Sequence, residues 1–445
     1  NFQAEAQMKR TMSSIGGEER AEVVHCDVCN LGNPMRERNY NECKTEKITN
    51  QDAELARELN GLSMQERDSL NDDIHGVAAI PVESHEFIAT CISRLNDELK
   101  QLPKSVPRKA FDRALFLKPS LETDSKFKLR FLRADRYDAF ASARRMVKYF
   151  EDKVELFGED RIVKKITWDD LEEEDRNLLD TGFCILLPHK DTAGRPIQFF
   201  DVSKIDFSKH MSVLRAEWYM AEVTIEDDES IELTGVSQIL YCPGIWNLLE
   251  NFAKFHNAMK KMGDVLSNFP LRPTSVHFCY NSSVMKFIQS VVQKTFGKQY
   301  RLRLRDHFGS DVEIRYSLMT YGVICPLLGG SEQLELSQLN IHRREIKEEE
   351  QRAAMLEEEN KYGVVPFPSP HDVLVGRGWP YQTFSGNKVL GQVVGEFVDR
   401  FLESADNFEK TCINLKVIET IEERHGGRFL ERTSEGWRVA SNQVA

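Results

Sequence analysis

Between Gly182 and His307, five short strand-like runs, the first four rich in β-branched and aromatic residues and the fifth alternating Arg with Leu, are spaced along the chain, the later ones separated by long stretches of helical periodicity. This alternation limits the fold more than any other feature. The runs are 182–188 (GFCILLP), 196–202 (PIQFFDV), 236–241 (VSQILY), 275–280 (SVHFCY) and 301–307 (RLRLRDH), and helical patterns lie at about 210–228, 246–267 and 284–296. Strands joined through helices pair in parallel by crossovers, so the pattern predicts an α/β layer on a mixed, largely parallel sheet. Asp191, Gly194 and Arg195 mark a tight reversal between the first two runs.

A helical segment precedes the sheet. Phe87, Ile88, Cys91, Ile92, Leu95 and Leu99 share one helical face, Phe127, Leu129, Phe131 and Leu132 follow in a second helix, and Asp138 is placed to cap a third running to about Phe157. Thr167 and Asp170 have capping-box spacing before a short acidic helix. Residues 1–80 are polar and acidic, with 9 Lys and Arg against 15 Asp and Glu, and read as a disordered tail with a short helix near 51–60. Residues 331–370 combine an acidic helix with a proline-containing linker, and a small α+β domain is expected over 371–445. The central 81–330 is neutral, with 36 charges of each sign, so the net charge of −12 belongs to the appendages. An acidic chain without a broad basic face gives no reason to expect nonspecific nucleic-acid binding. The pair Cys26-x-x-Cys29 lacks the second pair a structural zinc site needs, and the cysteines read as free thiols.

Over 84–330, Leu129-x-Phe131-Leu132-Arg133-Ala134, then Asp191-x-x-Gly194-Arg195-Pro196, then Gly235-x-Ser237-x-Ile239 with Gly244 stand in an order that resembles the cap helix, hairpin and central strand of the CRAL-TRIO family of lipid-binding proteins. Phe269-Pro270 with Asn281, and Tyr321-Gly322 with Pro326 and Gly329-Gly330, resemble its later segments. Tyr241 stands where the family has Asp, and Ser283 where it has Pro. The resemblance implies a helical cap over 81–158 and, over 159–330, a sheet flooring an apolar pocket under a mobile helical lid. Its pocket and lid residues would be Ile239, Tyr241, Phe278, Tyr280, Val284, Phe287, Ile288, Val291, Val292 and Phe296, with the departures at Tyr241, Ser282 and Ser283 shaping ligand choice.

The last six of these form one apolar stripe at three- and four-residue steps, which fits a lid and equally fits a helix packed on the sheet as core. Lys298, Arg301, Arg303 and Arg305 follow. The alternation Arg301-x-Arg303-x-Arg305 puts three guanidiniums on one face of a strand, suited to a phosphoinositide headgroup or an anionic membrane; the plainer reading is the wet side of an amphipathic strand.

The C-terminal segment carries Asp372, Gly376, Arg377 and Gly378, then Asn387, Arg428 and Trp437, in a pattern that resembles a small domain of unknown function abundant in diatom proteins. Its glycines fit tight turns, and the segment also fits a protein-binding module; nucleic acid is the weaker partner. No G-x-S-x-G, H-E-x-x-H or Walker pattern occurs, and His256, His277 and His307 read as isolated. The expectation is a non-enzymatic, cytoplasmic and peripheral-membrane protein. It would need no cofactor beyond a bound lipid, which it transfers or presents; the alternative is a lipid-gated regulator acting through the C-terminal domain.

Overall fold

A computed structural model describes residues 56–103, 105–227, 230–243, 252–282, 285, 298–328, 333–433 and 436–440. Within them the strand-like runs form one sheet of order β1-β2-β3-β4-β5. These are β1 (Cys184–Lys190), β2 (Pro196–Asp201), β3 (Val236–Cys242), β4 (Pro273–Tyr280) and β5 (Leu304–Phe308). β1 and β2 pair antiparallel across the predicted reversal; every later pair is parallel.

Before the sheet come α1 (Met64–His75), α2 (His85–Gln101), α3 (Lys109–Leu117), α4 (Ser125–Ala134), α5 (Ala139–Phe157) and α6 (Glu173–Asp180). Ser84, Asp124 and Asp138 cap α2, α4 and α5 by accepting from the amides of Phe87, Phe127 and Ala141, which satisfies donors the helix cannot. The Thr167–Asp170 box closes a single 3-10 turn, and the acidic helix α6 begins after it. Leu95, Phe131, Leu132, Met146, Val147 and Phe150 fill the space among the cap helices, and each such burial contributes about 1.5–3 kcal/mol.

Residues 56–60 are helical, inside the short helix expected near 51–60, and the disordered tail expected over 1–80 is corrected over α1, which is docked with Asp73 and Ile74 buried. Arg195 holds its end, donating from Nη1 to Asp73 O (2.7 Å) and from Nη2 to Ile74 O (3.1 Å), carbonyls of the last helical turn.

Between and after the strands lie α7 (His210–Asp227), α8 (Phe252–Asn268), α9 (Lys298–Arg303), α10 (Asp311–Met319) and α11 (Gln333–Tyr362). The acidic α11 is a docked element, not a solvated one. Arg344 and Glu348 are buried and paired at 2.8 Å, Glu348 also accepts from Trp168 N and the Tyr219 hydroxyl, and Asn340 donates to Leu186 O on the edge strand β1. A covered edge has fewer open backbone groups with which to pair a foreign strand.

The C-terminal segment builds a second sheet, β6 (Val373–Val375), β7 (Phe429–Arg432) and β8 (Trp437–Val439), backed by α12 (Ser385–Glu403) and α13 (Asn407–Glu419). It has its own apolar cluster around Val393, Ile421 and Phe429. It also packs on the cap: Trp437 Nε1 donates to Leu117 O at 2.7 Å, and the Phe116 ring meets Trp437 and Tyr381 edge-on.

Candidate functional site

Side chains alternate across a strand, so the five-stranded sheet has two faces. Cys184, Leu186, Gln198, Phe200, Val236, Gln238, Leu240, Val276, Phe278, Tyr280 and Leu304 lie on the face toward α7, α8 and α9, which return Val213, Ala216, Met220, Met259, Met262 and Tyr300. The opposite face, with Ile185, Ile197, Phe199, Ile239 and Cys279, is sealed by Ile314 and Leu318 of α10 and by Val323 and Leu327.

This division corrects the sequence-derived pocket. Leu240, not Ile239, stands opposite Phe278 in the β3–β4 register. Phe278 and Tyr280 therefore face the helices, whereas Ile239 and Tyr241 face α10. The Tyr241 hydroxyl donates to Asp311 Oδ1 at 2.9 Å and its ring leans on Phe199. The departure from the family Asp at this position thus lies behind the sheet, away from the helix-facing layer. Val284, Phe287, Ile288, Val291, Val292 and Phe296, with Ser283, lie outside the described residues, as does the Cys26–Cys29 pair.

The basic set is corrected as well. Residues 298–303 are helical and the strand starts at Leu304, so the three arginines do not share a strand face. Arg301 is ion-paired with Glu58. Arg303 donates from Nη2 to Asp73 Oδ2 at 2.8 Å. Arg305 donates to the carbonyls of Leu302 and Leu304, and Lys298 is exposed. Asp73 is the hub of this region. Arg136 reaches its Oδ1 at 2.6 Å and Arg272 bonds the same oxygen. Desolvation pushes the Asp73 carboxyl up, but the guanidiniums of Arg272, Arg303 and Arg136 outweigh it and hold the group below the ordinary carboxylate range.

Within the apolar helix-facing layer runs a chain of buried polar side chains that sequence reading missed. Thr224 Oγ1 accepts from Gln198 Nε2 (2.9 Å), Gln198 Oε1 from Gln238 Nε2 (2.9 Å), and Gln238 Oε1 from the Tyr300 hydroxyl (3.1 Å). Glu217 of α7 lies beside it; burial pushes its carboxyl up to about 8. The available signal was weak: polar residues at interior positions of strands and of a helix most of whose residues are buried. At the β1 edge a cleft of ≈ 190 Å³ opens among Leu179, Cys184, Leu186, Tyr219, Met220 and Val223.

Behind the sheet, His277 and His307 are neighbours, correcting their reading as isolated. His277 Nδ1 is 2.9 Å from His307 Nε2, and His307 Nδ1 is 2.7 Å from Ser317 Oγ. Burial, then the neighbouring positive charges, pulls His307 down to about 4 and His277 well below the usual value, so both imidazoles are neutral near pH 7.

In the C-terminal module the motif residues act internally. Asp372 accepts from Arg428 N, Nε and Nη2 at 3.0–3.1 Å, and Asn387 clamps Leu374 by bonding both its N–H and its C=O. A Cβ on Gly376 would lie 2.2 Å from the Tyr381 ring, and one on Gly386 2.0 Å from Asp372 O, so close packing requires glycine at both. Gly378 precedes the turn at Trp379, and Arg377 is exposed.

A helical cap, then a largely parallel five-stranded sheet with helices on its faces, then a small module with its own sheet, make up an α/β architecture with a distinct C-terminal part. Residues 372–445 match the family described as Domain of unknown function (DUF6824). The chain is similar to Clavesin-1 of Xenopus laevis, 27% identical over 224 residues that make up 47% of this chain; the match spans 62% of that relative's length. The crystal structure of Sfh5 aligns over 54% of this chain and 88% of its own, with 11% identity and a TM-score of 0.37. No helix among the described residues is long and apolar enough to cross a membrane.

Proposed function

We propose that this chain binds a single hydrophobic lipid between the helix-facing side of the sheet and helices α7 to α9, and transfers it between membranes or presents it to a partner. The observation that supports this most is the composition of that layer: Phe200, Leu240, Phe278, Met220, Met259 and Met262 in one apolar cluster, interrupted by the Thr224–Gln198–Gln238–Tyr300 chain. Apolar walls with a few placed polar groups are the usual make-up of a small-molecule cavity. The similarity to a CRAL-TRIO-like domain agrees with this reading. We read the protein as a binding protein, not an enzyme.

Membrane contact during exchange is part of the same proposal, with 284–296 as lid and the exposed Lys298 as the member of the basic set at the surface. Arg301 and Arg303 serve α1 and the segment before it, which argues against a headgroup clamp built from all four. Engagement of Asp372, Asn387, Arg428 and Trp437 within the module and its dock argues against those residues as a partner-binding surface.

The direct test is mass spectrometry of organic extracts of the purified full chain, with transfer of labelled lipid between vesicles. One lipid per protein, exchanged between vesicles, is the expected result. A protein that carries none, takes none up and moves none refutes the proposal.

A further inference from the structure

Glu217 is 6% exposed, and none of the described residues hydrogen-bonds its carboxyl; Oε2 is fully enclosed without a partner. It acts electrostatically on the Cys184 thiol of β1 and on the Tyr300 hydroxyl of α9, which places it between the cleft at the strand edge and the end of the polar chain. Ser212 Oγ, also on α7, is buried without a partner too. The basic side chains of the surrounding elements are committed elsewhere: Arg215 to Asp175 and Glu172, Arg301 to Glu58, and Arg303 to Asp73.

An unpartnered carboxyl in a low-dielectric layer costs several kcal/mol, and chains keep one where something else supplies the missing hydrogen bond. We propose that Glu217, with the adjoining Tyr300 and Gln238, is the polar subsite of the lipid cavity, and that it takes the hydroxyl of an uncharged lipid alcohol. The subsite rests on the lipid-binding reading and narrows it. A hydroxyl is donor and acceptor at once, so it can donate a hydrogen bond to Oε2 or to the Tyr300 oxygen, whose own proton goes to Gln238 Oε1, and accept from the carboxyl when that is protonated. A phosphate would bring negative charge against a carboxyl that has no cation beside it among the described residues, and the desolvation cost of that placement is not repaid. The inference thus selects neutral alcohols over phosphoinositides as the buried cargo.

The test uses the full chain and three pyrene-tagged probes on one long alkyl chain: the alcohol, its methyl ether and its phosphate monoester. The alcohol should bind best, the ether about tenfold more weakly for want of the donated hydrogen bond, and the phosphate weakest. Glu217→Leu should erase the preference for alcohol over ether, and Glu217→Gln, which preserves shape and hydrogen-bonding capacity, should keep much of it. Thermal melts of both variants separate loss of the subsite from loss of the fold; if the Leu variant unfolds, the wild-type ranking and the Gln variant decide. Alcohol and ether binding equally well, or phosphate binding best, overturns the subsite while lipid binding stands. Failure of all three probes to bind overturns both.

Discussion

Replacing Asp73 with Asn should release α1 from the sheet while leaving the rest of the chain folded. The carboxylate is 2% exposed and bonded by Arg136, Arg272 and Arg303, brought from three distant segments. Arg136 is 41% exposed, so water takes over its share and little is lost there. Arg272 and Arg303 are shielded, and leaving buried guanidiniums without their anion costs about 3–5 kcal/mol. Arg195 holds only the last carbonyls of α1, so with the Asp73 pairs lost the helix should open as a local unit while the rest of the chain stays folded. At about 1.4 kcal/mol per decade, the amides of α1 should exchange with solvent roughly two to four decades faster, with those of β3 and β4 unchanged. Hydrogen exchange read by mass spectrometry over peptides from 64–75 measures this directly. Wild-type protection of α1 in the variant would refute the assignment of Asp73 as the anchor. The pH response follows from the lowered carboxyl: the native state binds the proton less readily than the unfolded chain, so docking keeps its full Asp73 contribution above the ordinary aspartate range. It loses that contribution only as pH falls through the lower folded value.

Glu217 carries the opposite sign. With its carboxyl raised from 4.5 to about 8, the folded state holds a proton that the unfolded chain releases, so this contribution is intact below the ordinary glutamate value and stability falls as pH rises toward 8, by at most about 5 kcal/mol. Glu217→Gln should flatten that slope in urea unfolding at pH 5 and pH 8, and an unchanged slope counts against the assignment. Trp437→Phe removes the donor to Leu117 O inside the dock and should cost about 1–3 kcal/mol, seen as a lower urea midpoint. Tyr241→Phe loses its bond to Asp311 for about 0.5–1.5 kcal/mol, and because the residue lies behind the sheet, the lipid recovered from the protein should not change.

Local pattern made the first four strands, the reversal at Asp191 and the cap at Asp138 readable, because each is set by residues near one another in sequence. What escaped depends on partners far apart. The two-residue period separates Ile239 from Leu240 but does not say which of them faces Phe278; only the register between strands decides that. The alternation Arg301-x-Arg303-x-Arg305 looked like one strand face, yet the chain turns from helix to strand at Leu304, and two of the arginines answer to carboxylates more than 200 residues away. An acidic N-terminal stretch reads as solvated until its charges meet those arginines. Glu217 was invisible for the converse reason: it has no hydrogen-bond partner among the described residues, so no pairing pattern announces it.

Helix α11 has a consequence for how this chain can vary. Its 30 residues form a rod of about 45 Å, fixed on β1 by Asn340 and on α7 by the Arg344–Glu348 pair, and beyond it the chain returns to α3 through Trp437. Cap, sheet, rod and terminal module therefore form a closed mechanical circuit. One residue inserted after Glu348 would turn everything beyond it by about 100° and advance it by about 1.5 Å. Trp437 would then miss Leu117 unless the turn before Val365 absorbed the change. The rod acts as a gauge block, and its length is as much a part of the fold as any side chain it carries.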